Sequence, residues 1–153
     1  MVFFVYAIPM VHNEPLIDIH QTGRKMRWLA ETYAQDMAGY SSLSWMEIFD
    51  KIKALPYIPD APLIEQVHRP FYTMNKYGVA SDCDDRAICV GAFACLRGEP
   101  FEFWAVGRFL DKPLHHVLTV VYIDGQRTTV DPTYGTNLFG KTPGEIAKSE
   151  RIG

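Results

Sequence analysis

A chain of 153 residues fits one domain and can bury a core without help from disulfides or a structural metal. Apolar residues make up 48% and charged residues 22%, and the net charge of −3 removes the electrostatic footprint of a nucleic-acid binder or of a protein held on anionic lipid. The three cysteines, Cys83, Cys89 and Cys95, follow a C-x5-C-x5-C spacing that is neither a disulfide framework nor a zinc pattern, and it suits a reducing compartment.

Met1 to Val11 is apolar but lacks a basic leader and a small-x-small cleavage site, and Pro9 interrupts it. It falls far short of the roughly 20 apolar residues that span a bilayer. The expectation is a buried strand over 2–8 or a packing arm, no membrane association and a cytoplasmic location. Asn13-Glu14-Pro15 is a turn. Met26, Leu29, Ala30, Tyr33 and Met37 recur at helical spacing, which predicts a helix from Arg24 to Ala38 with Thr22 as its cap and Gly39 as its stop. A second helix, Trp45 to Ala54, carries the Ser44/Glu47 pattern of a capping box. Pro56, Pro59 and Pro62 break regularity, a short helix or turn follows at 63–67, and Asn75-Lys76-Tyr77-Gly78 is a polar approach to the next element.

Cys83 to Arg97 is expected as a helix that is apolar on most sides and therefore central, ended by Gly98 and Pro100. The aromatics that follow, Phe101, Phe103 and Trp104, are expected as core. Strands are expected at Phe101–Gly107, Val117–Ile123 and Arg127–Val130, with Asp124-Gly125 as a hairpin turn between the last two. From Asp131 the chain is turn-rich. Helices first and an antiparallel sheet after make the class α+β.

The chemistry-bearing order is cysteine, histidine, aspartate. Cys83 opens a helix, where unpaired N–H groups and the helix dipole favour a thiolate. Cys89 and Cys95 fall roughly 240° and 120° away around that helix and are expected to be buried and inert. Asp82, Asp84 and Asp85 suit the first helical turn, with capping favoured over a hard cation as their role, yet they oppose the thiolate by like-charge repulsion, which Arg86 offsets in part. A two-residue turn at Asp124-Gly125 sets Ile123 against Gln126 and Leu118 against Asp131. Side chains alternate faces, so Asp131 shares a face with Leu118 and His116, not with His115. His116 is thus the candidate base and Asp131 its orienter. An oxyanion hole needs two donors. The Cys83 main-chain N–H is one, and Tyr77, Asn75 and Trp45 are candidates for the other. His12, His20 and His68 stand alone and are expected to be ordinary, and His115 exposed.

Ser81-Asp82-Cys83-Asp84-Asp85-Arg86-Ala87 resembles the Gly-Asp-Cys-Asp-Asp motif of bacterial transglutaminase-like domains. His115-His116-Val117-Leu118-Thr119-Val120-Val121-Tyr122-Ile123-Asp124-Gly125 is similar to that family's His-Val-x-Val-x-Val strand and turn, and Val130-Asp131-Pro132-Thr133-Tyr134-Gly135 to its aspartate motif. Tyr57-Ile58-Pro59-Asp60 and Arg69-Pro70 are similar to its lead-in. The likeness covers roughly residues 55–135. The chain departs from the pattern in Ser81, where glycine is usual and serine is expected to tighten the turn, and in lacking a clear oxyanion tryptophan in its approach loop.

The resemblance implies a single domain over 1–153: an N-terminal strand and helices at 1–54, a catalytic core at 55–135 and a C-terminal tail at 136–153. It implies a papain-like core in which a cysteine-bearing helix packs on the sheet carrying histidine and aspartate. Cys83 would be the nucleophile, His116 the general base and acid, and Asp131 the orienter, with no cofactor and no metal. The expected activity is hydrolysis of an amide in a peptide or protein substrate, as a cysteine peptidase or amidase. A protein-glutamine acyltransferase and a non-catalytic structural component, for example of a phage particle with an assembly partner, are the alternatives.

Overall fold

The computed structural model describes residues 18–60, 66–75, 81–142 and 144–153. The expected strand at 2–8, the turn at 13–15, most of the element at 63–67 and most of the approach at 75–78 lie outside these.

Helix α1, Ile19–Thr32, starts earlier than its apolar spacing suggests. Its cap is Asp18, whose side chain accepts from Gln21 N, while Thr22 lies one turn inside and donates its hydroxyl back to Asp18 O. After Tyr33 the chain tightens into a 3₁₀ segment, Ala34–Tyr40, so the predicted single helix is two elements and Gly39 does not stop it. Helix α2, Trp45–Lys53, has the expected capping box between Ser44 and Glu47. Helix α3, Pro70–Asn75, has no apolar periodicity to announce it; proline at its first position is preset for a helix.

Helix α4, Cys83–Leu96, is the axis of the molecule. Every residue from Asp84 to Ala94 is buried. Helix α1, the 3₁₀ segment, α3 and the sheet all pack on it. Gly91 permits the sheet contact: a Cβ there would come within 2.9 Å of both Phe101 and Phe103. At the far end Gly98 takes φ 73°, just past the Arg97 cap.

The sheet has four antiparallel strands in the order β3-β2-β1-β4: β1 Phe101–Gly107, β2 His116–Ile123, β3 Gln126–Val130 and β4 Lys148–Ile152. The Asp124-Gly125 turn has positive φ at both residues, 51° and 77°, which matches the twist of a tight hairpin and sets Ile123 against Gln126. Strand β4 pairs with β1, so the turn-rich C-terminal tail contributes an edge strand. Its Lys-Ser-Glu-Arg-Ile sequence has the polar character of an exposed edge, and only Ile152 is buried.

One face of the sheet sends Phe101, Phe103, Ala105, Val121, Val130 and Ile152 into the main core with α4. The other carries a smaller cluster of Val106, Leu118 and Val120, edged by Trp104, Tyr122 and Ile146. The chain is therefore mixed α+β with an antiparallel sheet. Among the described residues no helix is long and apolar enough to cross a membrane.

Candidate active site

Three local structures bring the chemistry-bearing residues together. Asp82 caps α4 through a capping box with Asp85, which makes Cys83 the first helical residue. Strand β2 begins at His116, and β3 ends one residue before Asp131. The Thr119↔Val130 pairing puts Asp131 level with Leu118, and His116 Nε2 lies 2.6 Å from Asp131 Oδ2. Both side chains are buried. Asp131 is itself held: its Oδ1 accepts from Thr133 N, and its main-chain oxygen accepts from Asn137 Nδ2. His116 Nδ1 is the ring nitrogen that Asp131 does not engage.

Cys83 and His116 line one cavity of about 450 Å³, together with Tyr57, Asp82, Asp84, Leu114 and His115. A second cavity of about 390 Å³ also reaches His115 and His116 and continues past Tyr134, Asn137 and Arg108. The imidazole of His116 thus stands between two hollows. His115 is exposed, and the Tyr134 ring sits 5.4 Å from that of His116.

The electrostatics around the thiol are acidic. Oxygens of Asp60, Asp82 and Asp84 lie within 4.8 Å of one another, the one set among the described residues close enough to share a cation. Asp85 is not part of it. Its Oδ1 accepts from His68 N at 2.9 Å and faces His68 Nδ1 at 2.8 Å, so His68 is a buried partner and not the solitary histidine expected. Burial pushes the Asp85 carboxyl well above the usual range, and Asp82 adds to this, while the His68 N–H pulls the other way.

Arg86 makes no hydrogen bond to the aspartates beside the thiol, although the charges of Asp131 and Asp82 act on it. Its guanidinium is buried and donates to four main-chain oxygens, those of Ser81, Ile52, Leu55 and Pro132, at 2.7–3.1 Å. It ties the approach to α4, the end of α2 and the Asp131 loop into one body. Burial lowers its pKa. Ser81 pairs with Ile58 in an isolated antiparallel bridge, and its φ is not positive, so a glycine conformation is not required there.

None of the cysteines is in a disulfide. Cys89 is wholly buried and its thiol is pushed far up by burial; Cys95 is only half-buried, and burial raises it as well. Of the three candidate oxyanion donors, Trp45 is in the core with its indole N–H on Glu99, and Asn75 is exposed and donates to Phe71 O. Neither lines the Cys83 cavity, and Tyr77 lies outside the described residues. Two tyrosines not among the expected site residues feel the charge of the thiol, Tyr57 in its cavity and Tyr134 against the His116 ring. Burial and then the Cys83 charge raise both, Tyr57 to about 12. The sequence signal for them was their place in two of the stretches that carry the resemblance, Tyr57 in the Tyr57-Ile58-Pro59-Asp60 lead-in and Tyr134 in the aspartate motif.

Comparison of the chain with protein-family models, with curated proteins and with solved structures finds no match.

Proposed function

We propose that the chain is a transglutaminase-like thiol enzyme with a papain-like core, which cleaves amide bonds in a peptide or protein through Cys83, His116 and Asp131. The observation that carries this reading is the buried His116–Asp131 pair opening onto the cavity lined by the first residue of α4, Cys83.

His116 takes the thiol proton at Nδ1, while Asp131 on Nε2 fixes the tautomer and stabilises the imidazolium. The sulfur adds to the amide carbon, forming an S–C bond and moving the carbonyl π pair onto oxygen. Collapse returns that pair and breaks the C–N bond, and His116 protonates the departing amine. The resulting thioester is then attacked by water, deprotonated by His116, which releases the acid and restores the thiol. An amine in place of water gives acyl transfer; the abundance of water favours cleavage.

The carboxylates beside the thiol favour a second reading, a non-catalytic component that retains the fold, because they oppose the charge the nucleophile needs. One experiment separates the two. The enzyme reading expects Cys83 to alkylate with iodoacetamide well below pH 8, and His116→Ala to abolish that reactivity. A Cys83 that reacts no faster than a simple thiol and is indifferent to His116 sinks it.

A further inference from the structure

We infer that Tyr57 is a catalytic residue, its phenolic O–H donating a hydrogen bond to the oxyanion formed when Cys83 attacks a carbonyl. This rests on the thiol-enzyme reading above and supplies the donor that reading lacks.

Placement comes first. The bridge between Ile58 and Ser81, with Ser81 N donating to Ile58 O at 2.8 Å, runs the segment before α3 antiparallel to the approach to α4. That register sets Tyr57 level with Asp82, one residue from Cys83. Tyr57 lines the Cys83 cavity and is half exposed, so a substrate carbonyl can reach it. Its ring is also anchored from beneath, with the Arg86 guanidinium 5.8 Å from its centre.

Chemistry then narrows the choice. An oxyanion needs N–H or O–H donors, and ionised carboxylates are acceptors only. Among the described lining residues this sets aside Asp18, Asp82 and Asp84, and the apolar ones with them. Thr22 already gives its hydroxyl to Asp18 O. His116 is the base and His115 its exposed neighbour. Tyr57 remains, and its hydroxyl makes no hydrogen bond to any described residue. With its pKa raised to about 12, by burial and then by the negative charge at Cys83 and Asp82, the phenol keeps its proton across the neutral range and has one to donate.

The test compares two reactions of the same sulfur in the full chain. Iodoacetamide alkylates Cys83 by displacement at a saturated carbon and forms no oxyanion. p-Nitrophenyl acetate acylates it through a tetrahedral oxyanion and releases p-nitrophenolate. Rates are taken above those of Cys83→Ala, which subtracts Cys95. Tyr57→Phe keeps the ring and removes only the hydroxyl. The ratio of acylation to alkylation rate is expected to fall at least about fivefold. A smaller fall, including an equal loss in both reactions, overturns the role of Tyr57. A wild-type Cys83 no faster than a simple thiol with either reagent overturns the enzymatic reading itself, and the role of Tyr57 with it.

Discussion

At the scale of single residues, the thiol sits in a conflict. Its position as the first residue of α4 favours the anion, and the carboxylates of Asp60, Asp82 and Asp84 oppose it. Asp82 offers a clean way to weigh these, because it is both the cap and a charge. Asparagine caps a helix about as well as aspartate. Asp82→Asn therefore removes a negative neighbour and keeps the helix start. The expected result is a rise of about two- to threefold in Cys83 alkylation at pH 7, with a melting temperature near that of the wild type. A fall in rate would mean that the Asp82 charge assists the thiol. The same scale explains what was legible: once the hairpin turn is two residues long, side-chain parity alone puts His116, and not His115, on the face of Asp131. The candidates Trp45 and Asn75 failed for the opposite reason, since residue type says nothing of which cavity a side chain lines.

At the scale of elements, α4 is held at its N-terminus by a contact that its own sequence does not announce. Asp85 belongs to the capping box, and it also receives the His68 N–H and the His68 ring from another segment. Complete burial raises its folded-state pKa above the unfolded value. For a carboxyl shifted in that direction, the stability it contributes is full below the ordinary carboxylate range, where it is protonated in both states. That stability is lost as pH rises through the raised folded value, where the native state must ionise a buried group. Asp85→Asn cannot ionise. Urea denaturation of both proteins between pH 4 and 9 is expected to show the variant gaining on the wild type as pH rises. A gap that is constant, or that widens against the variant, would show that the hydrogen bonds to the carboxylate outweigh its desolvation. Element boundaries followed the same logic of local against distant forces. Ser44/Glu47 and Asp124-Gly125 fix their own geometry and were readable. Helix α1 began at Ile19 because of the local Asp18 cap, and a 3₁₀ segment packed on α4 replaced its predicted end.

At the scale of the whole molecule, Arg86 is the residue that joins the parts. A permanent cation buried among four carbonyl oxygens is costly to place and costly to remove. Arg86→Met leaves those oxygens without their donor, and destabilisation of at least about 2 kcal/mol is expected by urea denaturation. Arg86→Lys keeps the charge but loses the planar fork, so an intermediate loss is expected. A methionine variant as stable as the wild type would show that main-chain relaxation or water replaces the guanidinium. Strand β4 belongs to this scale too. Its polar sequence carries no strand signal, and it becomes a strand because the open edge of β1 supplies partners for its backbone.

The sequence by itself determined the class of the fold, the central helix with Cys83 at its start, the hairpin register and hence the pairing of His116 with Asp131. These depend on short-range rules: capping, turn conformation, and the alternation of side chains along a strand. Only the tertiary structure decided that Arg86 donates to carbonyls instead of aspartates, that His68 is buried against Asp85, that the C-terminal segment closes the sheet, and that Tyr57 reaches the cavity of Cys83. Apart from the Arg86 bond to Ser81, each of these is a contact between segments far apart in the chain, where the partner is chosen by burial and unsatisfied hydrogen-bonding groups, and no local pattern in the sequence encodes that choice.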